Sequence, residues 1–114
     1  MNVTVLYSED ANKMLVFLAK EAQKRKQQRV LLTAIEQKLV LLRGNPFLGT
    51  SIAKKKIPKK YVLEYKITNL WKIDLPGAWR LLYSIRNERI EIIALVLDVF
   101  SHKDYEKKMK YKKS

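Results

Sequence analysis

The sequence contains no cysteine. A disulfide framework, a thiol nucleophile and any Cys-ligated metal are thereby excluded. It holds one histidine, His102, so a His-rich metal site is excluded too. Acids are scarce, 11 against 24 Lys and Arg. Those at Asp74, Glu88, Glu91, Asp98, Asp104 and Glu106 show no compact ligand spacing, which argues against a metal nuclease. No Gly-rich phosphate loop is present. The longest uninterrupted apolar run, Ile92–Leu97, is far short of the roughly 20 residues of a membrane span. The first residues carry no basic segment leading into a long apolar core, so no secretion signal is expected. A soluble, cytoplasmic protein is expected to remain, and no cofactor is expected.

What remains is positive charge on a chain able to fold. The formal net charge is +13 over 114 residues, of which 47% are hydrophobic. That length fits one domain, 1–114, and the apolar content supplies a core. Excess positive charge on a folded domain points to a polyanion such as RNA, DNA or the ribosome. A solubilising lysine coat is the plainer alternative.

Asn2–Tyr7 is rich in Val and Thr and reads as a strand. Ser8 is a helix N-cap, and Glu9 and Asp10 suit the positive end of a helix dipole. Apolar residues at Ala11, Met14, Leu15, Leu18 and Ala22 follow helical spacing, as do Leu31, Ala34, Ile35, Leu39 and Leu42. Gly44-Asn45-Pro46 ends the second stripe. With no Gly or Pro between the stripes, the expected form is a helical hairpin turning near Lys26–Arg29, with one continuous helix as the alternative. Phe47–Lys60 reads as a loop. Leu70–Leu75, Trp79–Ile85 and Ile90–Val99 read as an antiparallel meander with tight connections. Ser101–Ser114 is a short basic tail that begins as a helical turn. The expected class is α+β: an N-terminal strand, a two-helix hairpin packed on one face of a small antiparallel sheet, and the tail. The other sheet face is expected to be at least partly open.

A three-residue loop at Pro76-Gly77-Ala78, with Gly77 at positive φ, sets Leu75 opposite Trp79, Asp74 opposite Arg80 and Lys72 opposite Leu82. Lys72, Asp74, Arg80, Leu82 and Ser84 then share the open face. Trp71, Ile73, Leu75, Trp79, Leu81, Tyr83 and Ile85 face the helices. Arg80 on an open sheet is a good phosphate clamp, because its planar fork matches two phosphate oxygens. A plain Asp74–Arg80 cross-strand ion pair is the competing reading. His102 could serve as general acid or base, or as a surface or capping residue. Tyr105 could stack on a base, or pack the tail. Lys54, Lys55, Lys56, Lys59 and Lys60, and in the tail Lys103, Lys107 and Lys108, could follow a nucleic-acid backbone or coat a solvated surface.

Several elements occur in a telling order: Gly44-Asn45-Pro46-Phe47 with Gly49, Ile57-Pro58-Lys59-Lys60-Tyr61, Asn69-Leu70-Trp71-Lys72-Ile73-Asp74-Leu75, Trp79-Arg80-Leu81-Leu82-Tyr83 and His102-Lys103-Asp104-Tyr105. Together they resemble the RelE/ParE superfamily of type II toxin–antitoxin toxins, closest to a Lys-rich branch associated with archaea. The resemblance implies a toxin that cleaves mRNA in the ribosomal A site without metal, the 2′-oxygen attacking the adjacent phosphate. By position, Arg80 resembles the arginine that stabilises phosphate charge and Lys72 the strand lysine that orients the phosphate. His102 resembles the C-terminal acid or base of His-bearing relatives, and Tyr105 the C-terminal aromatic that holds a base. The resemblance also implies a cognate acidic antitoxin, with ribosome and mRNA as targets, and a homodimer or a toxin–antitoxin hetero-oligomer. The chain departs from the pattern at Asp74, where many nuclease members carry a second basic residue. That charge opposite Arg80 would neutralise the clamp. It keeps two alternatives open: a ParE-type member that binds DNA gyrase or another topoisomerase, and an inactive member that binds RNA or an antitoxin.

Overall fold

The computed structural model describes residues 2–101 and Lys103. Strand β1 (Asn2–Tyr7) leads into helices α1 (Glu9–Ala22) and α2 (Lys26–Gly44). A two-residue strand β2 (Thr50–Ser51), a 3₁₀ turn at Lys54–Lys56 and helix α3 (Lys59–Tyr65) follow. Strands β3 (Trp71–Leu75), β4 (Trp79–Asn87) and β5 (Glu91–Ser101) complete a five-stranded sheet in the order β1-β5-β4-β3-β2.

Ser8 caps α1 as expected. Its hydroxyl accepts from the Ala11 amide at 3.0 Å and donates to the Leu97 carbonyl at 2.6 Å, so the cap also ties the helix to β5. The helical corner lies earlier than the sequence suggests. Gln23 and Lys24 turn the chain, Arg25 is extended, and Lys26 and Arg29 already belong to α2. Arg29 holds the corner by donating from Nη1 to the Ala22 carbonyl at 3.0 Å, a task that needs neither Gly nor Pro.

Two further expectations are corrected. The sheet is mixed, because β1 runs parallel to β5 and the remaining pairs are antiparallel. The segment read as a loop holds β2 and the start of α3. Both are too short for a periodic signal: β2 is defined by its pairing with Trp71 and Lys72, and α3 by packing Tyr61 onto the sheet.

The helices cover one sheet face. Leu18, Leu31, Ile35 and Leu42 meet Ile73, Leu75, Leu81, Tyr83, Val96 and Val99 in the main core. Tyr83 reaches past this core: its hydroxyl donates to the Pro46 carbonyl at 2.7 Å and accepts from the Gly49 amide at 3.0 Å. Gly49 passes so close to β3 that an added Cβ would sit 2.5 Å from the Lys72 carbonyl oxygen. We therefore expect Gly49→Ala to destabilise the fold by about 1–3 kcal/mol, the usual range for forced overpacking. Its urea midpoint should drop, and the Lys72 amide resonance should shift as β2 is pushed off β3.

The opposite face is only partly open. α3 and its flanks lay Ile57, Tyr61, Ile67 and Leu70 over Leu82, Leu97 and Phe100 in a second, smaller core. Ser84, expected in the open, is buried beside Asn69. The Asn69 carboxamide donates to the Ile85 carbonyl and accepts from the Ile85 amide, both at 2.8 Å, so it extends the ladder just before β3 begins.

Candidate functional site

The hairpin between β3 and β4 sets the site. Gly77 takes φ 71° and Ala78 φ 61°, and the register is Leu75 to Trp79, Asp74 to Arg80 and Lys72 to Leu82, as the sequence predicts. Lys72 and Arg80 are consequently diagonal neighbours on adjacent strands of one face, a spacing of roughly 7–8 Å.

Arg80 Nε lies 3.0 Å from Asp74 Oδ1, and Arg80 Nη1 donates to the Trp79 carbonyl at 3.0 Å. The cross-strand ion pair weighed from sequence is thus present. The guanidinium is held against the sheet, its side chain 18% exposed, whereas Asp74 is 69% exposed. Lys72 is half-buried. Ser101, the last residue of β5, stands opposite Trp79, one position from Arg80.

A bulge shapes the same face. Leu82 pairs with Asp98 and Tyr83 with Val96, which leaves Leu97 as an extra residue on β5. The shift turns both Leu97 and Asp98 beneath α3. Asp98 is buried there, accepting from the Tyr61 hydroxyl at 3.1 Å and from the Val99 amide at 3.0 Å. Sequence reasoning did not place this pair in the site. The available signal was one acid inside the apolar run of β5, which a buried position must satisfy with donors.

Burial pushes the Tyr61 phenol well above its ordinary value, and the neighbouring Asp98 carboxylate adds to the shift. Burial raises Tyr83 as well. The folded chain keeps these protons where the unfolded chain releases them, above about pH 10. Stability from this source is complete below that pH and falls as pH rises further. Thermal unfolding followed from pH 9 to 11 should show this loss, and Tyr61→Phe should flatten its slope.

No family model and no curated protein matches the sequence. Among solved structures, the chain is similar to the free state of an E. coli toxin RelE mutant in which two arginines are replaced by alanine. The match has 18% identity and a TM-score of 0.55, and covers 98% of this chain and 94% of that one. The fold is that of RelE.

Within this RelE-like fold, Lys72 and Arg80 come together as expected. Lys54, Lys55 and Lys56 are exposed on the 3₁₀ turn, and Lys59 and Lys60 are exposed on the first turn of α3. They sit on the solvent side of the segment that covers the Arg80 face. Lys103 is exposed just past β5. His102, Tyr105, Lys107 and Lys108 lie outside the described residues. Among the described residues, no helix is long and apolar enough to cross a membrane.

Proposed function

We propose that the protein is the toxin of a type II toxin–antitoxin system, of the lysine-rich archaeal type, and acts in the cytoplasm as a ribosome-dependent mRNA endonuclease. The observation that carries this reading is the shared face of Lys72 and Arg80, set on two rigid strands in a RelE-like fold. Two cations fixed by a sheet can hold a phosphate before reaction, so little reorganisation is needed as charge develops. In the reaction, the 2′-oxygen forms a bond to phosphorus as the bond from phosphorus to the 5′-oxygen breaks. The products are a 2′,3′-cyclic phosphate and a 5′-hydroxyl. Arg80 stabilises the phosphorane charge and Lys72 orients the non-bridging oxygens. His102 transfers the proton, and Tyr105 supports the base. The exposed lysines of the 3₁₀ turn, α3 and the tail bind the surrounding RNA, and an acidic antitoxin neutralises them in the stored complex.

The test is single-turnover cleavage of mRNA on programmed ribosomes, with the isolated mRNA as the ribosome-free control. The reading expects breaks within the A-site codon that end in cyclic phosphate. Intact mRNA would overturn it.

The ion pair between Asp74 and Arg80 favours a second reading, a ParE-type member that binds gyrase. In that case induction leaves mRNA intact and raises a DNA-damage response. Growth without either effect would mark a member that only binds RNA or antitoxin.

A further inference from the structure

The clamp arginine carries its own anion, and the two partners are unequally placed. Arg80 is fixed from the sheet side, by the Trp79 carbonyl and by its burial. Asp74 stands on the solvent side of the pair, mostly exposed. Moving Asp74 away costs little desolvation or packing, whereas moving Arg80 would disturb the strand. The turn holds the two in register through positive φ at Gly77 and Ala78, so the carboxylate cannot drift along the strand.

An anion that arrives from solvent therefore meets Asp74 first and has to take its place on Nε. Asp74 is tethered, so it competes at an effective concentration on the order of millimolar or above. A lone phosphate has no second contact with which to win that exchange. A polynucleotide does, because Lys72 lies diagonally beside Arg80 and the segment over the rest of this face carries exposed lysines at Lys54–Lys56, Lys59 and Lys60. Its further phosphate contacts can outweigh the fixed cost of displacing one carboxylate.

Resting on the reading of this face as a phosphate site, we propose that Asp74 is a displaceable counter-anion that sets selectivity. It excludes isolated phosphate from Arg80 and admits chains of phosphates such as single-stranded RNA. Asp74 is thus a specificity residue that acts through Arg80.

The experiment compares the native chain with Asp74→Asn, Arg80→Ala and the double variant. Inorganic phosphate is titrated while the Arg80 Nε–H resonance is followed, and a labelled nine-nucleotide uridine RNA is titrated by anisotropy. In the native chain, phosphate up to about 10 mM, the scale of the tethered competitor, should leave the resonance in place. In Asp74→Asn, phosphate should shift it, with affinity raised at least about tenfold. RNA affinity should rise by a comparable factor, because the same carboxylate is displaced, but RNA should already bind the native chain measurably. That gain should vanish in the Arg80→Ala background.

Equal phosphate responses in the native chain and Asp74→Asn would overturn the proposal. So would an RNA gain that persists without Arg80, which would mark a bulk charge effect. RNA affinity unchanged by Arg80→Ala would overturn the underlying phosphate reading instead. Asp74→Asn preserves shape, and Asp74→Ser gives a second variant should the first lower the thermal midpoint.

Discussion

On the proposed nuclease reading, replacing Arg80 with alanine should slow mRNA cleavage on the ribosome by about 10²- to 10³-fold, the usual loss when a preorganised charge-stabilising donor is removed. The reason is placement. Arg80 is fixed by the sheet and by the Trp79 carbonyl, so its charge is in position before the phosphate geometry changes. The ion pair itself adds little to folding, because the partner carboxylate is mostly exposed and such pairs contribute about 0–1 kcal/mol. The variant should therefore keep its circular dichroism and most of its thermal midpoint. Arg80→Lys should recover part of the rate, since it keeps the charge and loses the planar fork. A cleavage rate in Arg80→Ala equal to that of the native chain would remove Arg80 from the mechanism.

The largest expected loss of stability comes from Leu82→Ala, about 2–5 kcal/mol. Leu82 is fully buried on the same face as Arg80, under α3. Its removal leaves a cavity among Tyr61, Leu97 and Phe100, beneath a short helix tied to β5 by the Tyr61–Asp98 hydrogen bond. The urea midpoint measures the loss. Leu63→Ala provides the contrast: Leu63 is 71% exposed on α3, and its loss should stay within about 0.5 kcal/mol. Equal effects of the two substitutions would contradict the second core.

The legible parts of this fold are those fixed by local chemistry. Ser8 caps a helix because its hydroxyl can reach the Ala11 amide, and Pro76-Gly77-Ala78 sets a register because Gly77 tolerates positive φ. From that register, alternation alone placed Lys72 and Arg80 on one face. The illegible parts depend on partners remote in sequence. Nothing in Asn2–Tyr7 states that it lies parallel to β5, and Thr50–Ser51 is a strand only through Lys72 and Trp71. The run in β5 is apolar on both faces, so it hides the bulge that brings Asp98 beneath Tyr61. The helical corner was misplaced because Arg29 performs with a side chain what Gly or Pro performs elsewhere with the backbone.

Asn69 has a consequence beyond its two bonds to Ile85. β4 extends to Asn87, well past the point where β3 can accompany it. Without a partner on that side, its amides and carbonyls would form a template on which a second chain could lay a strand. A single carboxamide occupies that template with both a donor and an acceptor. That part of β4 is thereby closed to strand addition by a second copy of the chain.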